Sequence, residues 1–326
     1  MGAVANRIGV VCLCATALSL NAFADREDVA WNNGSVELRG TLHMPDSPGP
    51  HTTFIFLHGS GPDTRTAFTM ARYARELSKR GIAVLVYDKR GTGESTGDWL
   101  ESTYEDLARD AATGIDYLLT RSDVDPDRIG VIGASEGGWT GPLAASISGR
   151  VSLMILISAP AMSPIEQGCY ELATALCAKE VPEDQIAEAV DFERLRWEVM
   201  RNDSGWEELA AAVEKAKGSP WYDAAERPEA PDPANAGTRW YARNQTFDPI
   251  PVLKQINIPV LLLYSKKDKH IEAQRSAQIM QDLANTEGKN YTIVTYPEGG
   301  HNLTPDGIRF PDDHWDRIVE WIGQQR

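Results

Sequence analysis

The sequence is poor in the residues that bind metals and cross-link chains. Its 326 residues include only four cysteines and six histidines, and none of these has the spacing of a metal-ligand cluster. It also lacks a glycine-rich phosphate-binding loop, an internal repeat and any low-complexity tract. We therefore expect neither a metal nor another cofactor. With 42% hydrophobic residues, the composition is that of an ordinary globular protein.

Positive charge is scarce as well. The chain has 32 Lys and Arg against 47 Asp and Glu, for a formal net charge of -15. A surface this acidic repels the phosphate backbone of nucleic acids. We therefore expect no nucleic-acid partner, while the oligomeric state stays open.

The N terminus has no apolar run long enough to cross a bilayer, which requires about 20 residues. Its apolar run covers residues 8–20, follows Arg7 and precedes the small-x-small pattern of Ala22 and Ala24. This arrangement predicts a signal peptide over residues 1–24, cleaved after Ala24, with a buried N-terminal helix as the alternative. We expect a periplasmic or secreted protein without a stable membrane anchor.

Two cysteines remain after the predicted signal peptide, Cys169 and Cys177. An oxidising compartment would permit a disulfide between them. On one straight helix, however, eight residues separate two Cα atoms by about 12 Å, which is too far for a disulfide. A disulfide would need a turn between the two positions, and the sequence leaves this open.

The chain alternates short apolar runs with longer amphipathic stretches, which predicts an α/β fold with a largely parallel sheet. Between residues 163 and 249 the pattern becomes helical and includes a proline-rich stretch at 227–233, which we interpret as an inserted helical cap. The core then comprises residues 25–162 and 250–326. The predicted strands cover residues 36–43, 53–57, 83–87, 128–132, 153–157, 259–264 and 291–296. The predicted helices cover residues 68–80, 104–120, 183–200, 206–217, 272–284 and 313–323.

The strongest local motif is G-x-S-x-G at residues 133–137, directly after the predicted strand at 128–132. In such an elbow the serine lies on a sharp strand-to-helix turn, and only glycine-sized neighbours let the backbone bend and expose the hydroxyl. Ser135 is therefore the predicted nucleophile. A glycine-rich turn with a solvated serine is the alternative.

A serine nucleophile needs a base, and the base needs a carboxylate that holds its tautomer. Asp268 and His301 each follow a predicted strand, in the chain order Ser, Asp, His that is typical of G-x-S-x-G enzymes. Open α/β sheets place their ligand sites at these strand ends. We predict Asp268 and His301 as the partners of Ser135, and expect His314 on a face of the last helix.

Acyl transfer also needs two backbone N–H donors for the developing oxyanion. One is predicted at Glu136, directly after the nucleophile. The other is expected in the loop after the strand at 53–57, where we favour Ser60 over Gly61.

Taken together, these motifs resemble the α/β-hydrolase superfamily, and more narrowly the bacterial esterase and serine-aminopeptidase-like hydrolases. The resemblance rests on HGSGP at 58–62, YDKRGTGES at 87–95, GASEGG at 133–138 and the loops of Asp268 and His301. It implies the α/β-hydrolase fold, a mostly parallel sheet of about eight strands and a metal-free hydrolase with a small-molecule acyl substrate. It does not fix the substrate, because relatives cleave esters, thioesters, amides and peptides.

Some residues allow two interpretations. Glu136 departs from the Met, Leu or Gln that is commoner beside the nucleophile, and its side chain would either hold the oxyanion loop or face a substrate amine. We interpret Asp88 and Arg90 as structural, with a role in substrate binding as the alternative. Aromatic residues of the predicted cap would form its own core or line an acyl pocket, with the core favoured. They are Trp197, Trp206, Trp221, Tyr222, Trp240 and Tyr241.

Ester hydrolysis is the leading functional prediction. A peptidase or amidase is the second, since acidic cap residues would suit an amine terminus, although they are also typical of a solvated helix face. These residues are Glu180, Glu183, Asp184, Glu188 and Asp191. A binding protein that keeps the fold without turnover is the third possibility, because a fold does not imply a function.

Overall fold

The computed structural model describes residues 26–225 and 231–325. The predicted signal peptide, and part of the proline-rich stretch at 227–233, lie outside the described residues. Within them, no helix is both long and apolar enough to cross a membrane.

The centre of the fold is a sheet of eight strands in the order β1-β2-β4-β3-β5-β6-β7-β8. β2 is antiparallel to β1 and β4, and all other neighbours are parallel. The mostly parallel sheet predicted from the sequence is therefore confirmed. The strands are β1 (Arg26–Asn33), β2 (Val36–His43), β3 (His51–Leu57), β4 (Ala83–Tyr87), β5 (Val124–Ala134), β6 (Leu153–Ile157), β7 (Val260–Ser265) and β8 (Tyr291–Tyr296).

Helices cover both faces of the sheet, and five of the described helices lie between β6 and β7 in the predicted cap segment. In chain order the described helices are α1 (Phe68–Ser78), α2 (Tyr104–Leu119), α3 (Gly137–Ser148), α4 (Pro164–Ala178), α5 (Glu183–Asn202), α6 (Trp206–Ala216), α7 (Pro220–Ala224), α8 (Ala236–Asn244), α9 (Ile250–Gln255), α10 (Ala273–Glu287) and α11 (His314–Gln324).

Two apolar layers pack against the sheet. α1 and α11 bury Leu77 and Ile318 on one face, while α2, α3 and α10 bury residues such as Ile115 and Met280 on the other. The inner parallel strands β4, β6 and β7 are buried at every position, which explains why they form continuous apolar runs in the sequence.

Local sequence signals set several helix starts. Thr103 precedes α2 as a capping box: its hydroxyl accepts from the amide of Asp106, and the Asp106 carboxylate accepts from the amide of Thr103. Ser163 and Glu166 repeat this arrangement at α4, where Pro164 occupies the first helical position. Because α4 runs unbroken through Cys169 and Cys177, the turn that a disulfide would need is absent, and no disulfide joins them.

The sequence analysis missed β1. Only Val29 and Trp31 of this strand are buried, and apart from Ala30 between them the other positions are charged or polar. β1 lies at the edge of the sheet, paired with β2 alone, so the continuous apolar pattern of an inner strand is not required of it. Gly34, with a φ of 59°, makes the turn of this hairpin and is the one signal that predicts it.

His314 begins α11 and is fully buried rather than lying on an exposed helix face. Its Nε2 lies 2.8 Å from the hydroxyl of Tyr73, and its Nδ1 lies 3.1 Å from that of Tyr296. A neutral imidazole has one donor and one acceptor nitrogen, so two hydroxyls satisfy it completely. Burial lowers the pKa of His314 from 6.5 to about 3.

The buried His314 should make the stability of the fold depend on pH. Between pH 6.5 and 3 the unfolded chain binds a proton at His314 that the folded chain does not, so the free energy of unfolding falls as pH falls. We expect a His314→Gln variant to show a slope smaller by up to about 1.4 kcal/mol per pH unit in this window. Urea denaturation at pH 7, 5.5 and 4.5 measures the slopes, and parallel slopes would contradict the prediction.

Candidate active site

Six parallel strands end at the same edge of the sheet, and the loops that follow them carry every predicted site residue. The loop after β3 contains Ser60, the loop after β5 contains Ser135 and Glu136, and those after β7 and β8 contain Asp268 and His301. A cavity of about 880 Å³ opens there, lined by Ser60, Ser135, Glu136 and His301 among others.

Ser135 lies at the junction of β5 and α3 with a φ of 53°. Non-glycine residues rarely adopt this conformation, which costs of the order of 1–3 kcal/mol and persists only where the surroundings impose it. The amide of Ser135 donates to the carbonyl of Ile157 on β6, at 2.9 Å, and its carbonyl accepts from the amide of Gly138 at 2.7 Å. These bonds hold a sharp turn that keeps the serine on the wall of the cavity.

The glycines of the motif are required by close backbone approach. A Cβ on Gly133 would lie 2.1 Å from the carbonyl oxygen of Gly137, and one on Gly137 would lie 2.7 Å from the carbonyl oxygen of Leu57. A Cβ on Gly138 would lie 2.4 Å from that of Ala159. The elbow therefore packs directly on its neighbouring loops.

A Gly133→Ala substitution should distort this turn. The added methyl group meets backbone rather than a flexible side chain, so we expect a loss of about 1–3 kcal/mol in the free energy of unfolding and a displaced Ser135. Gly323→Ala is a matched control, because a Cβ there has nothing within 4 Å. Denaturant unfolding of both variants tests this prediction, and equal stabilities would contradict it.

Asp268 and His301 are brought together, with Nδ1 of His301 2.9 Å from Oδ2 of Asp268. The other carboxylate oxygen accepts from the amides of His270 and Ile271, each at 2.9 Å. The Asp268 side chain is fully buried, and that of His301 is 24% exposed. An ionised carboxylate is only an acceptor, so the hydrogen of a neutral His301 lies on Nδ1 and leaves Nε2 as the basic nitrogen.

The pKa of Asp268 lies below its ordinary value. Burial alone raises it, but the hydrogen bond and charge of His301, with the amides of Ile271 and His270, outweigh burial. The carboxylate therefore stays ionised beside the imidazole.

Two serines that the sequence analysis did not single out support the His301 loop. Ser158, at the end of β6, donates to the carbonyl of His301 at 2.8 Å. Ser265, the last residue of β7, donates to the carbonyl of Gly299. A serine at a strand end is the only signal for this role in the sequence, and it is a weak one.

The loop after β3 lies against the elbow. A Cβ built on Gly59 would lie 3.7 Å from Cβ of Ser135, and both Gly59 and Ser60 line the cavity, whereas Gly61 is not among its lining residues. His58, just before them, is buried, and its Nε2 lies 2.5 Å from the carbonyl oxygen of Tyr87. Burial and the nearby Lys89 lower the pKa of His58 to about 3, so it is neutral and donates to that carbonyl.

Glu136 turns its side chain toward the loop after β3. Its Oε1 lies 3.0 Å from Nζ of Lys89, which also donates to the carbonyl of Gly59 at 2.6 Å. Burial raises the pKa of Glu136, while Lys89 and the Ser60 hydroxyl act against burial. These contacts join the elbow to the loop after β3, and Glu136 also lines the cavity.

Asp88 and Arg90 have separate partners in neighbouring loops. The Asp88 carboxylate accepts from the amides of Arg65 and Glu94, at 2.9 and 3.0 Å. Arg90 forms a two-pronged ion pair with Asp110 on α2, at 2.6 and 2.7 Å. The first pairing joins neighbouring loops and the second joins a loop to α2, and none of these residues lies at the cavity wall, which agrees with the structural interpretation.

The six predicted cap aromatics have different surroundings. Trp221 and Tyr222 are buried in a small cluster with Leu172 and Val213. Trp197 and Tyr241 line the cavity, and Trp240 lines it while also belonging to the main core. Trp206 is in neither, and its indole donates to Asp203. The favoured interpretation as the cap's own core thus holds for two of the six residues.

No group of three or more His, Cys, Asp and Glu side chains is arranged to hold a metal in residues 26–225 and 231–325.

Comparison with known protein families assigns the chain to one of them. The model of the alpha/beta hydrolase family matches residues 54–321, which include all five predicted site residues. The chain belongs to the α/β-hydrolase family. Its eight-stranded, mostly parallel sheet with helices on both faces is the fold of this family.

Individual relatives of this α/β hydrolase are distant. It is 25% identical to Esterase EstD of Thermotoga maritima over 306 residues, which are 87% of the chain and 65% of the esterase. It is 31% identical to the uncharacterized protein YcjY of Escherichia coli over 146 residues, 43% of the chain and 46% of that protein. The matches thus cover less than two thirds of either relative.

Among solved structures, the esterase Pf2001 of Pyrococcus furiosus superposes with a TM-score of 0.61 at 17% identity, covering 92% of this chain and 91% of that one. Est1E of Butyrivibrio proteoclasticus, solved with ferulic acid, gives a TM-score of 0.56 at 17% identity and covers 90% of this chain and 96% of its own. At these identities the likeness shows the fold alone.

Proposed function

We propose that this α/β hydrolase cleaves carboxylic esters through a covalent acyl-enzyme on Ser135. The observation that carries the proposal is the Asp268–His301 hydrogen bond of 2.9 Å, with the imidazole on the wall of the cavity that Ser135, held at a φ of 53°, also lines. A buried carboxylate, an oriented imidazole and a serine hydroxyl at a cavity wall are the three groups of a serine hydrolase.

In the proposed first step, Nε2 of His301 takes the proton of Ser135 while Oγ attacks the ester carbonyl. The tetrahedral oxyanion accepts hydrogen bonds from the amides of Ser60 and Glu136. His301 then returns the proton to the leaving alcohol, and the acyl group stays on Ser135. Water, deprotonated by His301, attacks the acyl-enzyme and releases the acid.

The position of the acidic residues predicted to suit an amine terminus supports an ester substrate over a peptide with a free amine terminus. The acidic cap residues that would suit such an amine are exposed and do not line the cavity. They are Glu180, Glu183, Asp184, Glu188 and Asp191. Aromatic and aliphatic side chains form part of the wall, among them Phe68, Trp139, Leu172 and Trp240, together with the cap carboxylates Glu171 and Glu193. The apolar part of the wall suits an acyl chain.

A substrate series tests the proposal. The purified protein is assayed with p-nitrophenyl esters of increasing acyl length and with aminoacyl p-nitroanilides, beside Ser135→Ala as a blank. We expect turnover of short or medium esters and little of the anilides. Preferential anilide turnover would support a peptidase or amidase, and no Ser135-dependent turnover of either would reject the proposal.

We also propose export, on the signal-peptide pattern of residues 1–24. N-terminal sequencing of the protein recovered from the periplasm or medium should begin at Asp25. Recovery in the cytoplasm with Met1 retained would reject export without bearing on the chemistry.

A further inference from the structure

Lys89 joins three loops of the candidate site. It follows β4, and its side chain is 3% exposed while that of Glu136 is 1% exposed. Its ammonium donates to the carbonyl of Gly59 at 2.6 Å and to Oε1 of Glu136 at 3.0 Å. Desolvating a buried ion pair offsets much of its attraction, so a pair of this kind adds little net stability. Its position therefore needs another explanation.

The first contact acts on a peptide bond that carries a proposed oxyanion donor. The carbonyl of Gly59 and the amide of Ser60 belong to one planar trans peptide, in which C=O and N–H point in opposite directions. A cation fixed on the Gly59 oxygen therefore fixes the direction of the Ser60 N–H. It also strengthens that N–H as a donor, because hydrogen bonds at the two ends of an amide polarise each other.

The second contact reaches the residue that carries the other donor. Glu136 begins α3 but makes no side-chain cap at its own helix, and its Oε1 binds Lys89 instead. The Glu136 side chain thus connects the elbow to the loop after β3. One ammonium group thus links the Gly59–Ser60 peptide to the side chain of the residue that carries the second proposed oxyanion donor.

We propose that Lys89, held by Glu136, is a positioning residue that sets the two oxyanion donors, the amides of Ser60 and Glu136, at their working separation and direction. This inference rests on the proposed function. Lys89 does not line the cavity, so it acts through the Gly59–Ser60 peptide and not on the substrate.

The neighbouring ion pair of Arg90 and Asp110 is the matched control. Its side chains are 11% and 1% exposed, it comes from the same loop after β4, and it binds α2 rather than the elbow or the loop after β3. Arg90→Met should lower stability as a broken buried ion pair does, and it should leave the hydrolysis rate per active site unchanged.

The experiment compares wild type, Lys89→Met, Glu136→Gln, the double variant and Arg90→Met. Active sites are first titrated with a fluorophosphonate, and kcat and KM are then measured with the best p-nitrophenyl ester. Inhibition by an alkyl trifluoromethyl ketone is measured as well, because its adduct with Ser135 places an oxyanion against the amides of Ser60 and Glu136.

For Lys89→Met we expect kcat per titrated site to fall by about 10²- to 10³-fold, with KM changed less than about threefold. The inhibition constant should rise in parallel with the loss of kcat.

Glu136→Gln should lose less, because Lys89 keeps its bond to Gly59. The double variant removes both charges and keeps the test possible if Lys89→Met does not fold. It should match Lys89→Met, since the Gly59 carbonyl loses its cation in both. If Lys89 were purely structural, Lys89→Met would have fewer titrated sites and a lower unfolding midpoint. Its kcat per site and its inhibition by the ketone would stay at the wild-type level, and that result would overturn the inference. Absence of turnover and labelling in the wild type would instead reject the proposed function.

Discussion

Replacing Ser135 by alanine should lower kcat for ester hydrolysis by about 10⁴- to 10⁶-fold, close to the loss seen when a serine hydrolase loses its nucleophile. Without Oγ no acyl-enzyme forms, and the remaining amides and imidazole stabilise only a slow direct attack by water. The strained φ of 53° at this position persists in alanine. The variant should therefore keep its fold while losing its chemistry.

Covalent labelling separates this prediction from a loss of substrate binding. A fluorophosphonate should label the wild type at one site and leave Ser135→Ala unlabelled. Ser148→Ala is the matched control, because this serine lies on α3, which follows the elbow, and its hydroxyl is buried without a hydrogen-bond partner. It should label and turn over like the wild type.

The outcomes divide the functional hypotheses. Retained turnover in Ser135→Ala would show that another residue is the nucleophile. A folded wild type that neither labels nor hydrolyses any ester or anilide would support the third hypothesis, a binding protein that keeps the fold of a hydrolase.

The sequence predicts the parts of the fold that local pattern determines. The predicted strands at 36–43, 83–87, 153–157 and 291–296 coincide with β2, β4, β6 and β8. β4 and β6 lie inside the sheet and are apolar at every position, whereas β2 and the edge strand β8 are marked by alternating or by β-branched and aromatic residues. β1 escaped detection because it buries only alternate side chains and begins with charged residues. Its two buried residues, Val29 and Trp31, do not stand out beside the charges of Arg26, Glu27 and Asp28.

The supporting contacts of the site are less predictable than its motif. The elbow is a contiguous motif, whereas the partner of Glu136 is Lys89, 47 residues away in the chain. Ser158 reaches the carbonyl of His301 across 143 residues. Pairs of this kind depend on which strand ends lie side by side. The sequence left the strand order open, so it left the role of the Glu136 side chain open too.

Replacing Asp268 by asparagine should lower kcat by about 10⁴-fold while KM changes little. Oδ1 of Asp268 accepts two backbone hydrogen bonds, from His270 and Ile271, so the single carbonyl oxygen of an asparagine is held at that position. Its NH₂ group then faces Nδ1 of His301. Nδ1 must become an acceptor, the hydrogen moves to Nε2, and the imidazole can no longer take the proton of Ser135.

Stability supplies the control for this substitution, because asparagine keeps the two backbone hydrogen bonds whereas Asp268→Ala leaves two buried N–H groups unpaired.

The lowered pKa of Asp268 stabilises the fold at pH values above the ordinary aspartate pKa, and this contribution is lost as pH falls through the folded-state pKa. Wild type should therefore exceed Asp268→Asn in stability at pH 7, and the difference should shrink toward pH 3. Steady-state kinetics and urea denaturation of the three proteins measure both effects. If Asp268→Asn kept kcat within about tenfold of the wild type, the tautomer of His301 would not depend on Asp268, and the proposed mechanism would lose its carboxylate.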